Sequence, residues 1–310
     1  MQKVNEQHHG DNIQLGLVIS YFGSSVAVED HHGQIFQCHL RRNQPLPVVG
    51  DQVQWQLGHD QTGIIIAIEP RKSLLARGDG KGKMKPLAAN VDLLCIVMAP
   101  PPVFSDYLID RYLIAAELLA IAPLLILNKS DLLDEQTRHL MLAQYAPYEK
   151  IGYPVIISSA ITQEGLGDLQ AKLQSKTAVL VGPSGVGKSS IINMLNQGQD
   201  IRVNEVSGKG IGKHTTTATR LYHLKQGGQL IDSPGVREFN LWPVNAQDIL
   251  RGFKEINALN GCRFRDCQHQ AEPECAVQAA VVSGKISAQR VANYQAEMKR
   301  QKIENREYRK

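Results

Sequence analysis

The sequence lacks a long uninterrupted hydrophobic run, and this bears on where the protein acts. Its longest apolar stretch, from Leu113 to Leu127, is broken by Glu117 and Pro123, whereas a membrane-spanning helix needs roughly 20 apolar residues. The polar start, MQKVNEQHHGDN, also lacks the apolar segment of a secretory signal. We therefore expect a folded cytoplasmic protein without a membrane span, and 43% hydrophobic content suffices for a large core.

Cysteine is scarce as well. The 310 residues include five cysteines, three of them between Cys262 and Cys275, which argues against a disulfide framework in a cytoplasmic chain and favours a metal site. The other two, Cys38 and Cys95, lie in apolar strand contexts. We expect both in the core.

The chain has little net charge, +4, but its basic residues are unevenly placed. Residues 71–85 carry six Lys/Arg against one Asp, and residues 285–310 carry eight against three Glu. Such segments are typical of proteins with a polyanionic partner, although solvated surface charge explains them equally well.

Three segments with different periodicity follow one another. Residues 1–70 alternate short β-rich runs with turns, which favours a small β-barrel like the oligonucleotide-binding (OB) fold, although a sandwich fragment would give the same pattern. Residues 71–237 begin with a Gly-rich basic stretch, interpreted around Gly78 to Lys85 as a flexible loop or linker. Alternating apolar strands and helices then predict a parallel sheet covered on both faces. Residues 238–310 are helical and polar, so we predict a multi-domain protein with these three units.

A phosphate-binding loop is the clearest motif. The stretch GPSGVGKS follows an apolar strand and fits G-x-x-x-x-G-K-[ST]. Its glycines let backbone N–H groups turn toward a β-phosphate, and the following helix N-terminus adds its positive dipole end. Lys188 would place a cation between the β- and γ-phosphates, and Ser189 would complete a Mg²⁺ shell. The residues predicted to bind nucleotide here are Gly182, Pro183, Ser184, Gly185, Val186, Gly187, Lys188, Ser189 and Ser190.

Three further motifs favour GTP over ATP. In NKSD, the Asp can accept hydrogen bonds from N1 and the exocyclic amine of guanine, a donor pair that adenine lacks. SSA ends the next strand and fits a backbone contact to the guanine carbonyl. DSPG offers an Asp for Mg²⁺ and a Gly whose N–H can sense a γ-phosphate. The residues concerned are Asn128, Lys129, Ser130, Asp131, Ser158, Ser159, Ala160, Asp232 and Gly235.

The order of these motifs is unusual. NKSD, SSA, GPSGVGKS and DSPG correspond to G4, G5, G1 and G3, whereas an ordinary GTPase runs from G1 to G5. The sequence therefore resembles the circularly permuted GTPases. With a predicted β-barrel in front and a Cys/His cluster behind, nearly the whole chain is similar to the RsgA (YjeQ) family of ribosome small-subunit-dependent GTPases.

Reading the motifs in their ordinary order places the cut at switch II, and both outer domains are attached at that opening. We hypothesise that loss of the γ-phosphate, which rearranges switch II, moves the barrel and the C-terminal domain relative to each other.

The resemblance implies hydrolysis of GTP to GDP and phosphate. The Gly-rich, basic composition of residues 208–220 leads us to expect slow turnover until an RNA-bearing partner activates it. The position that often orients the attacking water is Val236, which cannot do so. The resemblance points instead to switch I, GKGIGKHTTTATR. There His214 either positions the water or is a surface histidine, and one of Thr215 to Thr217, preferably Thr216, would bind Mg²⁺. His214 and Lys188 are thus the candidate catalytic residues.

A Cys/His cluster marks the last segment. Cys262, Cys267, His269 and Cys275 have the spacing C-x4-C-x-H-x5-C. Three thiolates and an imidazole can form a closed tetrahedral Zn²⁺ site, although the spacing is not a common finger spacing and free thiols are the alternative. The zinc ligands of the resembled family match these four positions, which implies one structural zinc ion.

The barrel, the basic segments and the resemblance together favour the small (30S) ribosomal subunit and its 16S rRNA as partners in late subunit maturation. Nothing in the sequence suggests more than a monomer. In the terminal helix, Ile286, Val291, Tyr294 and Met298 are expected to face the core and to leave the basic face free. Two alternatives are a GTP-dependent RNA-binding switch not tied to the ribosome, and a P-loop kinase or ATPase, against which NKSD speaks.

Overall fold

Five short strands near the amino terminus close into a barrel. The computed structural model describes residues 13–40, 44–58, 62–78, 84–102, 104–196, 219–232 and 241–307. The barrel strands are β1 (Gln14–Tyr21), β2 (Ser25–Glu29), β3 (Ile35–His39), β4 (Gln52–Leu57) and β5 (Gly63–Ile68). They pair in the order β1-β2-β3-β5-β4, and β4 pairs back to β1. This closed five-stranded arrangement confirms the predicted OB-like barrel and excludes the sandwich fragment.

The barrel interior is narrow and filled by one large side chain. Trp55 is fully buried among valines and isoleucine. A Cβ added to Gly63 would lie 2.3 Å from the Cys38 sulfur and 2.9 Å from the Trp55 ring. Glycine at 63 is therefore required by packing. Burial raises the pKa of the Cys38 thiol to about 12, so Cys38 is a core residue, as predicted.

A hairpin follows the barrel where the sequence suggested a loop or linker. Strands β6 (Leu74–Gly78) and β7 (Met84–Ala89) pair antiparallel. Leu75, Ala88 and Ala89 are completely buried. The linker interpretation is therefore wrong for both strands: their apolar residues pack into the core, while the glycines and lysines that suggested flexibility are concentrated between them.

The central domain is a parallel sheet between two layers of helices. Strands β8 (Leu93–Met98), β9 (Ala122–Leu127), β10 (Val155–Ile157), β11 (Thr177–Val181) and β13 (Gln229–Asp232) are parallel. Strand β12 (Arg220–His223) pairs antiparallel with β13. The helices are α1 (Asp106–Leu118), α2 (Glu135–Lys150), α3 (Leu166–Leu173) and α4 (Lys188–Leu195).

Alternation along the buried strand β8 explains the layers. Leu94, Ile96 and Met98 face the core shared with α1 and α2, whereas Cys95 and Val97 face the core shared with α3 and α4. Successive strand residues point to opposite faces of a sheet, so a continuous apolar strand needs a helix layer on each side. Cys95 is buried as predicted, and burial raises its pKa to about 12.

The barrel and the central sheet join into one eleven-stranded sheet through β12 and β1. Ser20 pairs with Arg220, and the Ser20 hydroxyl donates to the Thr219 carbonyl at 3.2 Å. Nearby, His223 of β12 contacts Glu29 of β2, with 2.6 Å between Nε2 and Oε2. Strand β12, which follows the predicted switch I in the sequence, is thereby bonded to the barrel.

The C-terminal helices pack against α1. They are α5 (Ala246–Arg251), α6 (Lys254–Asn257), α7 (Ala276–Val282) and α8 (Ala288–Glu307). Val291 and Tyr294 of α8 are buried and Met298 packs against the same core, as predicted. Ile286 is buried as predicted too, but it lies before the start of α8. Within the described ranges, no helix is both long and apolar enough to span a membrane.

The basic face of α8 is not wholly free, contrary to expectation. Arg290 is only 2% exposed. Its guanidinium pairs with Asp110 of α1 and, at 2.7 Å, with Glu255 of α6. Asn293 and Tyr148 also donate to the Asp110 carboxylate, at 2.7 and 2.9 Å. A buried charge of this kind requires such partners, and here they fix the C-terminal helices to α1.

Candidate nucleotide site and metal centre

The predicted phosphate loop connects β11 to α4 in a tight turn. Gly182 has φ of +139°, and a Cβ there would lie 2.1 Å from the Val97 carbonyl oxygen of β8. Only glycine fits both the backbone conformation and the close approach. Ser184, Gly185, Ser189 and Ser190 are exposed. The loop is thus held against the sheet at its start and is open to a ligand beyond it.

Lys188 opens α4 and folds back over the loop. Its Nζ donates to the carbonyl oxygens of Gly182 and Pro183, at 2.6 Å each, and the side chain is largely buried. These carbonyls hold the ammonium group at the turn. A cation at this position, next to the backbone N–H groups that begin a helix, is suited to bind a phosphate chain.

The NKSD motif follows β9 and contacts the phosphate loop directly. The Asn128 Nδ2 donates to the Val186 carbonyl at 2.8 Å, and a Cβ on Gly187 would lie 2.3 Å from that nitrogen. The Ser158 hydroxyl of the SSA motif donates to Asn128 Oδ1 at 3.1 Å. Asn128 therefore links three motifs that are far apart in the sequence.

The SSA motif orients the NKSD carboxylate. The Ser159 hydroxyl donates to Asp131 Oδ1 at 2.5 Å and accepts the backbone N–H groups of Ile161 and Thr162, both at 3.1 Å. The Ser130 N–H donates to the Ser158 carbonyl at 3.1 Å. The exposed Asp131 carboxylate is thus held at the carboxyl ends of β9 and β10.

Lys129 and Ala160 complete the two loops. Lys129 has φ of +63°, which is uncommon for a residue with a side chain. Ala160, which follows Ser159 in the sequence, is half-buried.

Asp232 lies at the same edge of the sheet. It ends β13, which is parallel to β11 and adjacent to it, so both strands deliver their carboxyl ends beside the phosphate loop. Open α/β sheets bind ligands at this edge. Three predicted residues, His214, Thr216 and Gly235, lie outside the described residues, as do Thr215, Thr217 and Val236.

Two residues near the site were missed by sequence reasoning. Tyr112 of α1 is buried with its hydroxyl at the Gly182 N–H; burial raises the tyrosine pKa to about 12, while Arg111 and this N–H act in the opposite direction. Glu164 bonds to both the NKSD loop and the SSA loop, through Ser130 and Ser159. Neither belongs to a recognisable motif, so only the three-dimensional contacts identify them.

The predicted metal ligands come together in the C-terminal domain. Four ligand atoms, one each from Cys262, Cys267, His269 and Cys275, lie within 4.8 Å of one another. The His269 Nδ1 is 3.7 Å from the Cys262 sulfur and 3.6 Å from the Cys275 sulfur. Zn–S bonds of about 2.3 Å and Zn–N bonds of about 2.0 Å in a tetrahedron separate such atoms by about 3.5 Å. The donor set and its spacing fit one tetrahedral ion.

The surroundings support this arrangement. The His269 carbonyl accepts from Gln278 of α7 at 2.7 Å and from Gln295 of α8 at 2.6 Å. Burial raises the pKa of the Cys262 thiol, but backbone N–H groups of Ala276 and Val277 and the neighbouring thiols outweigh it, so the pKa is lowered. A thiolate is the metal-binding form, and the start of α7 favours it.

Comparisons with known proteins agree on one family. The family described as RsgA GTPase matches residues 68–242. The chain is 50% identical over 289 residues to the small ribosomal subunit biogenesis GTPase RsgA of Ectopseudomonas mendocina, covering 91% of this chain and 84% of the relative. The RsgA of Pseudomonas aeruginosa is 48% identical over 298 residues, with 95% and 88% covered.

Two crystal structures have the same architecture. YjeQ from Thermotoga maritima superposes with a TM-score of 0.74 at 31% identity, covering 92% of this chain and 98% of that one. YloQ, described as a circularly permuted GTPase, gives a TM-score of 0.73 at 29% identity and covers 98% and 99%.

Proposed function

Because this chain belongs to the RsgA GTPase family and is a GTPase, we propose that it hydrolyses GTP to GDP and phosphate during biogenesis of the small ribosomal subunit. The observation that carries the proposal is the bond from Asn128 to the Val186 carbonyl. It joins the NKSD motif to a phosphate loop that follows it in the sequence, so the permuted chain assembles one site.

Guanine is the base that this site fits best. We assign the Asp131 carboxylate to the N1 proton and exocyclic amine of guanine, with its orientation supported by Ser159. Adenine offers no such donor pair, so a carboxylate beside it would lose its hydrogen bonds. The SSA backbone would contact the guanine carbonyl. The base-binding residues in this proposal are Asn128, Lys129, Ser130, Asp131, Ser158, Ser159 and Ala160.

The phosphates would lie along the loop from Gly182 to Ser190. Lys188 would leave its contacts with the loop carbonyls and bind the β- and γ-phosphates, where it offsets the charge that develops during transfer. Ser189, Asp232 and Thr216 would hold Mg²⁺, which supplies charge neutralisation at the phosphates when bound. His214 would position the attacking water, and the Gly235 N–H would bind the γ-phosphate.

We assign zinc to the Cys/His cluster, with a structural role. Three thiolates and one imidazole occupy all four positions of a tetrahedral ion, so none is left for a substrate. The segment between α6 and α7 is rich in loops, and a bound ion would order it in place of a large core.

The partner in this proposal is the small subunit through its 16S rRNA. An OB-like barrel commonly presents a strand face to nucleic acid, and the basic terminal segment adds sites for phosphate contacts. We place a monomer in the cytoplasm, with units at residues 1–70, 71–237 and 238–310.

Phosphate release tests the proposal. Isolated 30S subunits should increase GTP turnover by at least about tenfold, as expected when a partner supplies transition-state contacts, whereas 50S subunits and free rRNA should not. Equal stimulation by free RNA would favour an RNA-binding switch that is not tied to the ribosome. Calorimetry should show tighter binding of GDP than of ADP, and the reverse preference would favour an ATPase.

A further inference from the structure

Glu164 connects the two loops that surround the base, although it lies outside every motif. Its carboxylate accepts the Ser130 hydroxyl of NKSD at 2.5 Å. Its backbone carbonyl accepts the Ser159 N–H of SSA at 3.1 Å. One residue therefore bonds to the NKSD loop through its side chain and to the SSA loop through its main chain.

Arg138 favours the ionised form of this carboxylate. The guanidinium, on α2, donates to Glu164 Oε1, and both side chains are about one-third exposed. Hydrogen bonds from Arg138 first and Ser130 second lower the pKa of Glu164. The bond from Ser130 is therefore charge-assisted, and bonds of this kind are roughly twice as strong as neutral ones.

The NKSD loop needs external support. Lys129 has φ of +63°, a conformation that costs free energy for a residue with a side chain and persists where surrounding contacts enforce it. Ser130 follows Lys129 directly, and Asp131 follows Ser130. A bond that fixes Ser130 therefore limits the positions available to the Asp131 carboxylate.

We propose that Glu164 is a positioning residue for guanine selectivity, because its bonds to Ser130 and Ser159 keep Asp131 aligned with the two donors of the base. This inference rests on the guanine site proposed above. Both carboxylate oxygens of Glu164 are bonded to protein groups, Ser130 and Arg138. Glu164 therefore acts through Asp131 and does not contact the nucleotide. The bonds from guanine to the Asp131 carboxylate are charge-assisted and therefore strong, so a partial loss of their alignment should lower the affinity measurably.

The test compares binding of GDP and inosine diphosphate, which lacks the exocyclic amine, to the full-length protein by calorimetry. In Glu164→Gln, affinity for GDP should fall about tenfold, the size expected for weakening one hydrogen bond to a charged group, and affinity for inosine diphosphate should fall less, so the preference for GDP narrows at least threefold. Ser130→Ala should narrow the preference for GDP by a similar factor. The double variant should narrow it little further than either single variant, because both substitutions remove the same bond. Asp168→Asn removes an exposed carboxylate from the first turn of α3 and should leave the preference unchanged.

Two other results have separate meanings. If Glu164→Gln weakens both nucleotides by the same factor, or leaves both unchanged, Glu164 does not position Asp131 and the inference is overturned. If the unmodified protein does not distinguish GDP from inosine diphosphate, the proposed guanine site itself fails. Thermal unfolding of each variant without nucleotide shows whether the variant still folds. A general loss of folding would lower the affinities for GDP and inosine diphosphate together, and this result would count against the inference.

Discussion

At the scale of single residues, a sequence motif predicts the position of a side chain when its neighbours in the sequence also determine its surroundings. Glycine spacing and strand ends predict Lys188 and Asn128 as contacts for a phosphate and a base, and the structure brings both residues to one edge of the sheet. The burial of Arg290 is not predictable in this way, because its partner Asp110 is 180 residues away in the sequence. A charged residue in a polar helix predicts exposure, and only the distant carboxylates make its burial possible.

The Arg290 network gives a stability prediction. Arg290→Met leaves Asp110 and Glu255 without their buried cation, so the free energy of unfolding should fall by about 3–5 kcal/mol. Arg251→Met removes a guanidinium that is 60% exposed and 3.9 Å from Asp248, and should change it by less than about 1 kcal/mol. Urea unfolding of both variants measures the difference. Similar losses in both would contradict a special role for the buried network.

At the scale of elements, strands and helices with clear periodicity were predicted well, and the hairpin was not. Glycines and lysines around Gly78 to Lys85 indicated a loop, but Leu75 and Ala88 are buried by other parts of the chain. Short strands are stabilised by such tertiary packing more than by local composition. The pairing of β1 with β12 is also not predictable from local sequence, because no local pattern specifies which strand of the central sheet pairs with the barrel.

The contact between β12 and β2 predicts a pH dependence. The hydrogen bond with Glu29 raises the pKa of His223, against the effect of burial. Stabilisation by a raised histidine pKa is complete below its unfolded value of about 6.5 and is lost as pH rises through the higher folded value. The thermal midpoint of the unmodified protein should therefore fall between pH 6 and pH 8.5 by more than that of His223→Gln. His39→Gln, at an exposed position, should keep the full dependence.

The Cys/His cluster predicts a dependence on metal. Cys267→Ser should lower the metal content well below one ion per chain, and so should treatment of the unmodified protein with a strong chelator. Both should also lower the helical signal, because the C-terminal segment loses the ion that orders it. Cys95→Ala changes a core cysteine outside the cluster and should retain one ion per chain. Elemental analysis with circular dichroism measures both. Full helicity in a metal-free Cys267→Ser protein would exclude a structural role for the ion.

At the scale of the whole molecule, the two outer domains are attached to different parts of the central domain. The barrel is bonded to β12, the strand that follows the predicted switch I. The C-terminal helices are fixed to α1 by the buried Arg290 network. The motif order in the sequence predicts that both outer domains are connected to the central domain near switch II. It does not predict the contacts through which they pack against that domain. A change in the switches would therefore move the barrel with β12, whereas the C-terminal helices would stay with α1.

Distances between three exposed positions test this difference. Leu57 is on the barrel, Leu140 on α2 and Val282 on α7, and they are 44%, 55% and 90% exposed. Labels on incorporated unnatural amino acids avoid the five native cysteines. Between GDP and a non-hydrolysable GTP analogue, the Leu57–Val282 distance should change. The Leu140–Val282 distance should not, because Tyr148 of α2 bonds to Asp110 in the same network. Identical Leu57–Val282 distances in both states would refute the coupling of the nucleotide to the outer domains.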